Sequence, residues 1–541
     1  MSALKRLGYP AWIALIAGLA LVHGVHLTAD FPLHSPWPDW AKFTDEGWYA
    51  NAAIRAHRLG HWYEPGGFNP AVAVPLWPAW VWLLFCFTGV SLVAVRGLAV
   101  ALFCLNLLLI ERLLRGRVPR WAVLLALTLL VTSPFLFAFS RLALVEPLLL
   151  TLALLALGVG QRLATTPGIT TPGITTPKIT TPGIPRQASL LGLLMAAMIL
   201  AKTTAIFLLP AIGWAAFLPL RTEPRRLARA LAACAGSSGC VLALWAAVLI
   251  HFHLLGDLTY FFWINRYPKP HTTLGWLASL GWAVHGMLWI DPLLMPLLAG
   301  LLLVWLAAWG VRGRPHWASM LGRDSLFSAS LLGMAGLIGF MAAQDHTQPR
   351  YYTVVAVFAF VALAQLLDAL LRQGKALRRV GSVALLVVAF AVARNSVETL
   401  RYALHPSYTW IDAARSLTAY VDAHPHGRRL LLATSGDEIT LMTGLPAMCD
   451  DFGTDLPERR IRRADPGWFA AWNDLDPAML AAIHASFALR QVATYPVMDD
   501  PERNRLVLFR LVPRRPAPGT ARNFDALGRI LPEDHVSIDV Q

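Results

Sequence analysis

Charge is what this sequence has least of. Only 14% of its 541 residues are Asp, Glu, Lys or Arg, against roughly 25% in soluble domains, and the mean hydropathy is +0.52. That scarcity excludes an ordinary soluble globular chain. Cysteine gives no framework either: Cys86, Cys104, Cys234 and Cys240 lie in apolar stretches and Cys449 stands alone in the tail. With no CxxC pair and no Cys/His metal spacing, neither a disulfide scaffold nor a zinc knuckle is supported. A clean leader-peptide cleavage site is also lacking. MSALKRLGYP followed by AWIALIAGLALVHGVHL has a basic start and an apolar core, but no A-x-A site follows and the apolar part is long. It reads as an uncleaved first span with a cytoplasmic N-terminus. The formal net charge of +14 does not point to nucleic acid, because the basic residues fall in short clusters between apolar runs, where they orient membrane spans.

What is present is a series of apolar runs of membrane-spanning length. The basic clusters are Lys5-Arg6, Arg112 to Arg120, Arg221 to Arg229, Arg312 to Arg323 and Arg372 to Arg379. If all are cytoplasmic, an even number of spans separates each from the next. That parity makes the run at 74–89, with three tryptophans and two prolines, an interfacial helix at the headgroup level, seated by Trp77, Trp80 and Trp82. The first external loop then runs from 28 to 92. Further spans are expected at about 93–111, 121–139, 143–160, 189–201, 204–220, 230–253, 291–311, 325–343, 353–371 and 380–397, about eleven in all.

Residues 165–184 repeat TTPGI with little variation. A proline in every pentapeptide excludes a helix, so 161–188 reads as a cytoplasmic linker without a chemical role. After about residue 400 the apolar runs shorten and alternate with helical patterns such as WIDAARSLTAYVDA. The expected architecture is therefore an all-α polytopic membrane domain over 1–400, followed by an extracytoplasmic α/β domain over 401–541 with an irregular tail.

With that topology, ionisable residues gather on one side of the membrane, where each is a candidate for function. The first loop contributes Asp45, Glu46 and Tyr49; SRLALVEP contributes Arg141 and Glu146; the turn in ILAKTTA contributes Lys202. The loop NRYPKPHTT contributes Arg266, Lys269 and His271, and QDHTQPRYY contributes Arg350 and Tyr351. Carboxylates come early and cations late. That division suits transfer chemistry, in which an acid end deprotonates a hydroxyl and a basic end holds an anionic leaving group. Each residue also fits a plainer role. Thr44-Asp45-Glu46 matches a helix start, Arg141 and Glu146 are spaced to pair across a turn, and Lys202 is placed to reach the interface. The histidines show no metal-ligand spacing.

The order of these features resembles the polyprenyl-phosphate-sugar-dependent glycosyltransferases of the GT-C class, in particular the protein O-mannosyltransferase and lipid A aminoarabinose transferase branches. The resemblance rests on TDEGWYANAAI (44–54), FNPAVAVPLWPAW (68–80), FTGVSLVAVRGLAVALF (87–103), SRLALVEPLLL (140–150), MILAKTTAIFLLP (198–210) and QPRYYTVVAVF (348–358). It implies a membrane enzyme that moves a hexosyl or pentosyl group from a polyprenyl monophosphate to an acceptor hydroxyl of an envelope glycan, lipid or protein, with inversion. It implies Asp45 as catalytic base, with Glu46 holding it or touching the acceptor. The second acidic site, usually Asp in R-x-x-x-x-D, falls on Glu146 after Arg141. Lys202, Arg266, Lys269 and His271 would meet the lipid phosphate, and Arg350-Tyr351 match an Arg-Tyr before a late span. No cofactor is required by that chemistry, and no divalent metal is indicated. Two other classes fit a polytopic chain with buried charges. A transporter or flippase of lipid-linked sugars would show symmetry between halves, and none is visible. A non-catalytic protein binding envelope polymer would tolerate loss of Asp45 and Glu46.

Overall fold

A computed structural model of the chain describes residues 2–165, 183–265, 272–311, 321, 324–344, 347–449, 452–473 and 475–514. The TTPGI repeats, Arg266, Lys269, His271 and most of the tail lie outside these residues.

The apolar runs form helices because their length is enough to satisfy every backbone group internally, which hydrocarbon demands. In chain order the first eight are α1 (Ser2–Val22), α2 (Asp45–Leu59), α3 (Leu76–Thr88), α4 (Leu92–Leu114), α5 (Arg120–Thr132), α6 (Pro134–Ser140), α7 (Glu146–Thr165) and α8 (Ile184–Ala201). Among the described residues eight helices are long and apolar enough to cross a membrane, or up to ten if each of two bent pairs is one span. The chain is a multi-pass membrane protein.

The span count differs from the expected eleven for local reasons. The apolar part of α1, Gly8–Val22, is shorter than the other spans. The run at 121–139 is two helices bent by 62°. Pro134 cannot donate to the helix and clashes with the preceding turn, and Ser133 caps the new one by accepting from Leu136 N at 3.3 Å. A helix at Thr273–His285, which the sequence left in a loop, precedes Leu294–Val311, and the two segments bend by 118°. The run expected as an interfacial helix forms the short helix α3, where Trp80 and Trp82 are exposed but Trp77 is wholly buried.

The last described stretch is a five-stranded mixed sheet of β1 (Arg428–Leu432), β2 (Ala447–Met448), β3 (Pro466–Ala471), β4 (Phe487–Pro496) and β5 (Arg505–Pro513), in the order β2-β1-β3-β5-β4. The period-two alternation of strands sends neighbours to opposite faces. Leu431, Trp468 and Leu508 pack with Trp410 and Leu417 of helix Thr409–Ala423, while Leu432, Phe469 and Leu511 pack with Ile461 and Ile483 on the other face. Both faces are covered, so the runs read as continuous apolar segments. The α/β domain rests against α2, because Phe43 belongs to its core and meets Trp472 at 5.1 Å between ring centroids.

Candidate active site

The site grows from the first turn of α2. In FTDEGWYA each side chain goes to a different part of the molecule. Phe43 enters the α/β domain, Asp45 turns to the late helices, Glu46 to α4, and Tyr49 to α8. A helix distributes successive side chains at 100° intervals, so neighbours in sequence face apart while i and i+4 share a side. Asp45 and Tyr49 are such a pair.

Asp45 lies 3.1 Å from Nη2 of Arg350 and accepts a 3.1 Å hydrogen bond from Thr44 Oγ1. Arg350 is held in turn by Asp39, which pairs with its guanidinium and accepts from its backbone N–H at 2.8 Å. Asp39 is also fixed, capping the short turn Trp40–Lys42 through Ala41 N at 2.8 Å. The order of rigidity is therefore Asp39, Arg350, Asp45. Burial is the largest influence on Asp45 and pushes its carboxyl above the ordinary 3.8, with Arg350 opposing the shift. Its side chain keeps 14% of its surface open.

Lys202 stands where α8 ends, with an extended backbone that breaks the helix before the turn Thr203–Phe207. Its ammonium pairs with Glu146, the first residue of α7, and the rings of Tyr49 and Tyr351 lie 5.6 and 5.4 Å from Nζ. Two tyrosines thus join the Asp45–Arg350 pair to the Glu146–Lys202 pair. Beside them opens a cavity of about 480 Å³, whose lining includes the polar groups Tyr49, Lys202, Asn265, Gln344 and Tyr351 and apolar groups such as Ile199, Ile206 and Phe207. A cation in the wall of a mostly apolar cavity fits an anionic headgroup on a lipid chain.

No family model and no curated protein matches this sequence. Solved structures do match. ArnT from Cupriavidus metallidurans bound to undecaprenyl phosphate aligns over 92% of this chain and 98% of its own, with a TM-score of 0.54 at 14% identity. The archaeal oligosaccharyltransferase AglB from Archaeoglobus fulgidus, in complex with an inhibitory peptide and a dolichol-phosphate, aligns over 93% of this chain and 74% of its own, with a TM-score of 0.50 at 12% identity. Both are GT-C glycosyltransferases. This chain has the GT-C fold.

Within that fold the sequence candidates separate. Asp45, Tyr49, Glu146, Lys202, Arg350 and Tyr351 come together. Glu46 does not join them. It is wholly buried, takes a bidentate pair from Arg96 of α4 and accepts from Ala143 N at 2.7 Å. Its oxygens bond Arg96 and Ala143 N, and among the described residues it makes no bond to Asp45. Arg141 also departs. It donates to the carbonyls of Val25 and His26 at 2.6 Å each and lies over Phe137, so it does not pair with Glu146. Sequence reasoning missed Asp39 and Arg96. A lone arginine in the first turns of an apolar span was a legible signal, since such a charge must find a partner; Asp39, in an irregular loop, offered none.

Proposed function

We propose that the chain is an inverting membrane glycosyltransferase that moves a sugar from a polyprenyl monophosphate to an acceptor hydroxyl. The observation that carries this reading is that a buried carboxylate, Asp45, stands one helical turn from Tyr49, which lines a cavity of a GT-C fold together with the tyrosine-flanked cation Lys202. The bound undecaprenyl phosphate of ArnT and the dolichol-phosphate of AglB are of the class proposed for the donor's lipid carrier, the leaving group. The cavity would lie on the extracytoplasmic side with the α/β domain, and the N-terminus in the cytoplasm.

Asp45 takes the proton from the acceptor hydroxyl as that oxygen attacks the anomeric carbon. The carbon–oxygen bond to phosphate breaks on the opposite face, the polyprenyl phosphate leaves, and a single displacement inverts the centre. A base whose affinity for protons is raised by burial is better matched to this task than an exposed carboxylate. Charge grows on the departing phosphate, and Lys202, prepositioned by Glu146, stabilises it most in the transition state. Arg350 holds the Asp45 carboxylate in its ionised form and fixes its aim.

Proteoliposomes holding the chain, an envelope extract as acceptor source and a set of undecaprenyl-phosphate hexoses and pentoses test this directly. Consumption of one donor with release of undecaprenyl phosphate is expected. Asp45→Asn should reduce turnover by about 10²- to 10⁴-fold while the protein melts normally. The base works deprotonated, so kcat/KM should fall on the acid side with a midpoint above the ordinary 3.8. Near-normal turnover by Asp45→Asn would remove the base assignment.

A further inference from the structure

The α/β domain supplies none of the groups at the cavity among the described residues, yet one of its side chains is buried at the base of α2. Glu438, on helix Gly436–Thr443, has no exposed surface. Its Oε2 accepts the backbone N–H of Gly47 at 2.6 Å, two residues beyond Asp45. The first N–H groups of a helix have no partner within it. Here a carboxyl from a distant part of the chain supplies one, in the manner of an N-cap but in trans to the local sequence.

The surroundings make this contact specific. A Cβ at Gly47 would collide with the backbone of Asp437 and Glu438, which no side-chain rotation relieves. The helix of the α/β domain therefore lies directly on the first turn of α2, and only glycine permits that approach. Two further contacts lie on the same segment: Phe43 against Trp472, and Lys42 Nζ at 3.1 Å from Asp500. Arg96, whose charge acts on Glu438, is already committed to Glu46 and to the carbonyls of Leu27 and Ala29. Burial pushes the Glu438 carboxyl well up from its ordinary value, and neighbouring Glu46 adds to the shift.

We propose that Glu438 is a positioning residue: by holding the Gly47 N–H it fixes the first turn of α2 and so aims Asp45, which makes the docked α/β domain a working part of the transfer site. This rests on Asp45 acting as the base. Misplacing a reacting group by about 1 Å costs about 10²-fold in rate, so a loosened first turn is enough to be felt in kcat.

Three substitutions at one position test it in the same proteoliposomes, with turnover counted per folded molecule. Gln keeps a neutral acceptor of the same length, Asp withdraws the acceptor by one methylene, and Ala removes it. Glu438→Gln should stay within about threefold of the parent, while Glu438→Asp and Glu438→Ala should lose about tenfold to a hundredfold in kcat. The donor KM should change little in all three, because Lys202 and the cavity are untouched. If Glu438→Ala does not fold, the contrast between Gln and Asp decides alone. Parent-like kcat in Glu438→Asp overturns the proposal, and so does a Gln variant as slow as the Asp one. Asp45→Asn in parallel separates the two failures. A dead Asp45→Asn with unaffected Glu438 variants removes only the positioning role, whereas an active Asp45→Asn removes the base itself.

Discussion

Asp45 and Glu46 are adjacent in sequence, both carboxylates, both beside an arginine, and they belong to two different regions of the molecule. On the Asp45 side the pair with Arg350 spans 3.1 Å, and the carboxylate retains some exposure. On the Glu46 side nothing is open. Arg96 bonds it twice, Ala143 N–H bonds it again, and both partners are at least nine-tenths buried. The difference teaches how buried charge divides its duties. A group whose hydrogen bonds are saturated holds structure. A group left with an unspent side and a raised proton affinity can do chemistry.

The sharpest way to break this contrast is at Arg96. Its removal leaves Glu46 buried without a counter-charge and frees the carbonyls of Leu27 and Ala29. Breaking one partner of a buried pair costs about 3–5 kcal/mol, a large fraction of a folded protein's margin. Arg96→Ala should therefore melt well below the parent and accumulate poorly in the membrane, whereas Asp45→Asn should melt with it. Detergent-solubilised thermal melts give the comparison. Equal melting of Arg96→Ala and the parent would mean that the Glu46 side is not structural.

Lys202 is a smaller test, because it serves both roles at once. Its partner Glu146 is buried and its ammonium borders the cavity. A charge-assisted hydrogen bond is worth about 1.5–3 kcal/mol, so Lys202→Ala should raise the donor KM about tenfold to a hundredfold. It should also cost stability by orphaning Glu146. The double variant Lys202→Ala/Glu146→Ala separates these effects. Stability should recover in part, because no unpaired carboxylate remains, while the donor KM stays high. If KM recovers with stability, Lys202 only holds Glu146.

The two sides were not equally legible in the sequence. Apolar runs revealed the late helices, α3 and the α/β domain, because hydrophobic length and period are local properties. The position of Asp45 between a first apolar helix and a tryptophan-rich one was legible for the same reason. The break at Pro134 was missed, since 121–139 was expected as one span, although a proline there is itself a local signal. The partners were not legible. Glu438 reaches Gly47 across 391 positions of chain and Arg350 reaches Asp39 across 311, and neither end carries a mark that names the other. Which of two adjacent acids is spent and which is open is decided by those distant partners, so the pair could be located from sequence but not assigned.

The exposed pair Arg429–Asp422 marks the low end of the scale. Their side chains are 50% and 49% exposed at 2.7 Å, so water and salt screen the attraction and it is worth at most about 1 kcal/mol. Arg429 nevertheless holds the Asp422 carboxyl below its usual range. A depressed carboxylate contributes its stability above the unfolded value of about 3.9, and that contribution disappears as pH falls through the folded value. Asp422→Asn should therefore melt slightly below the parent near neutral pH and together with it in strong acid, with sugar transfer unchanged. Melting curves at both ends of that range check the sign. A drop as large as that of Arg96→Ala would show that burial is not what separates structural charge from idle charge in this protein.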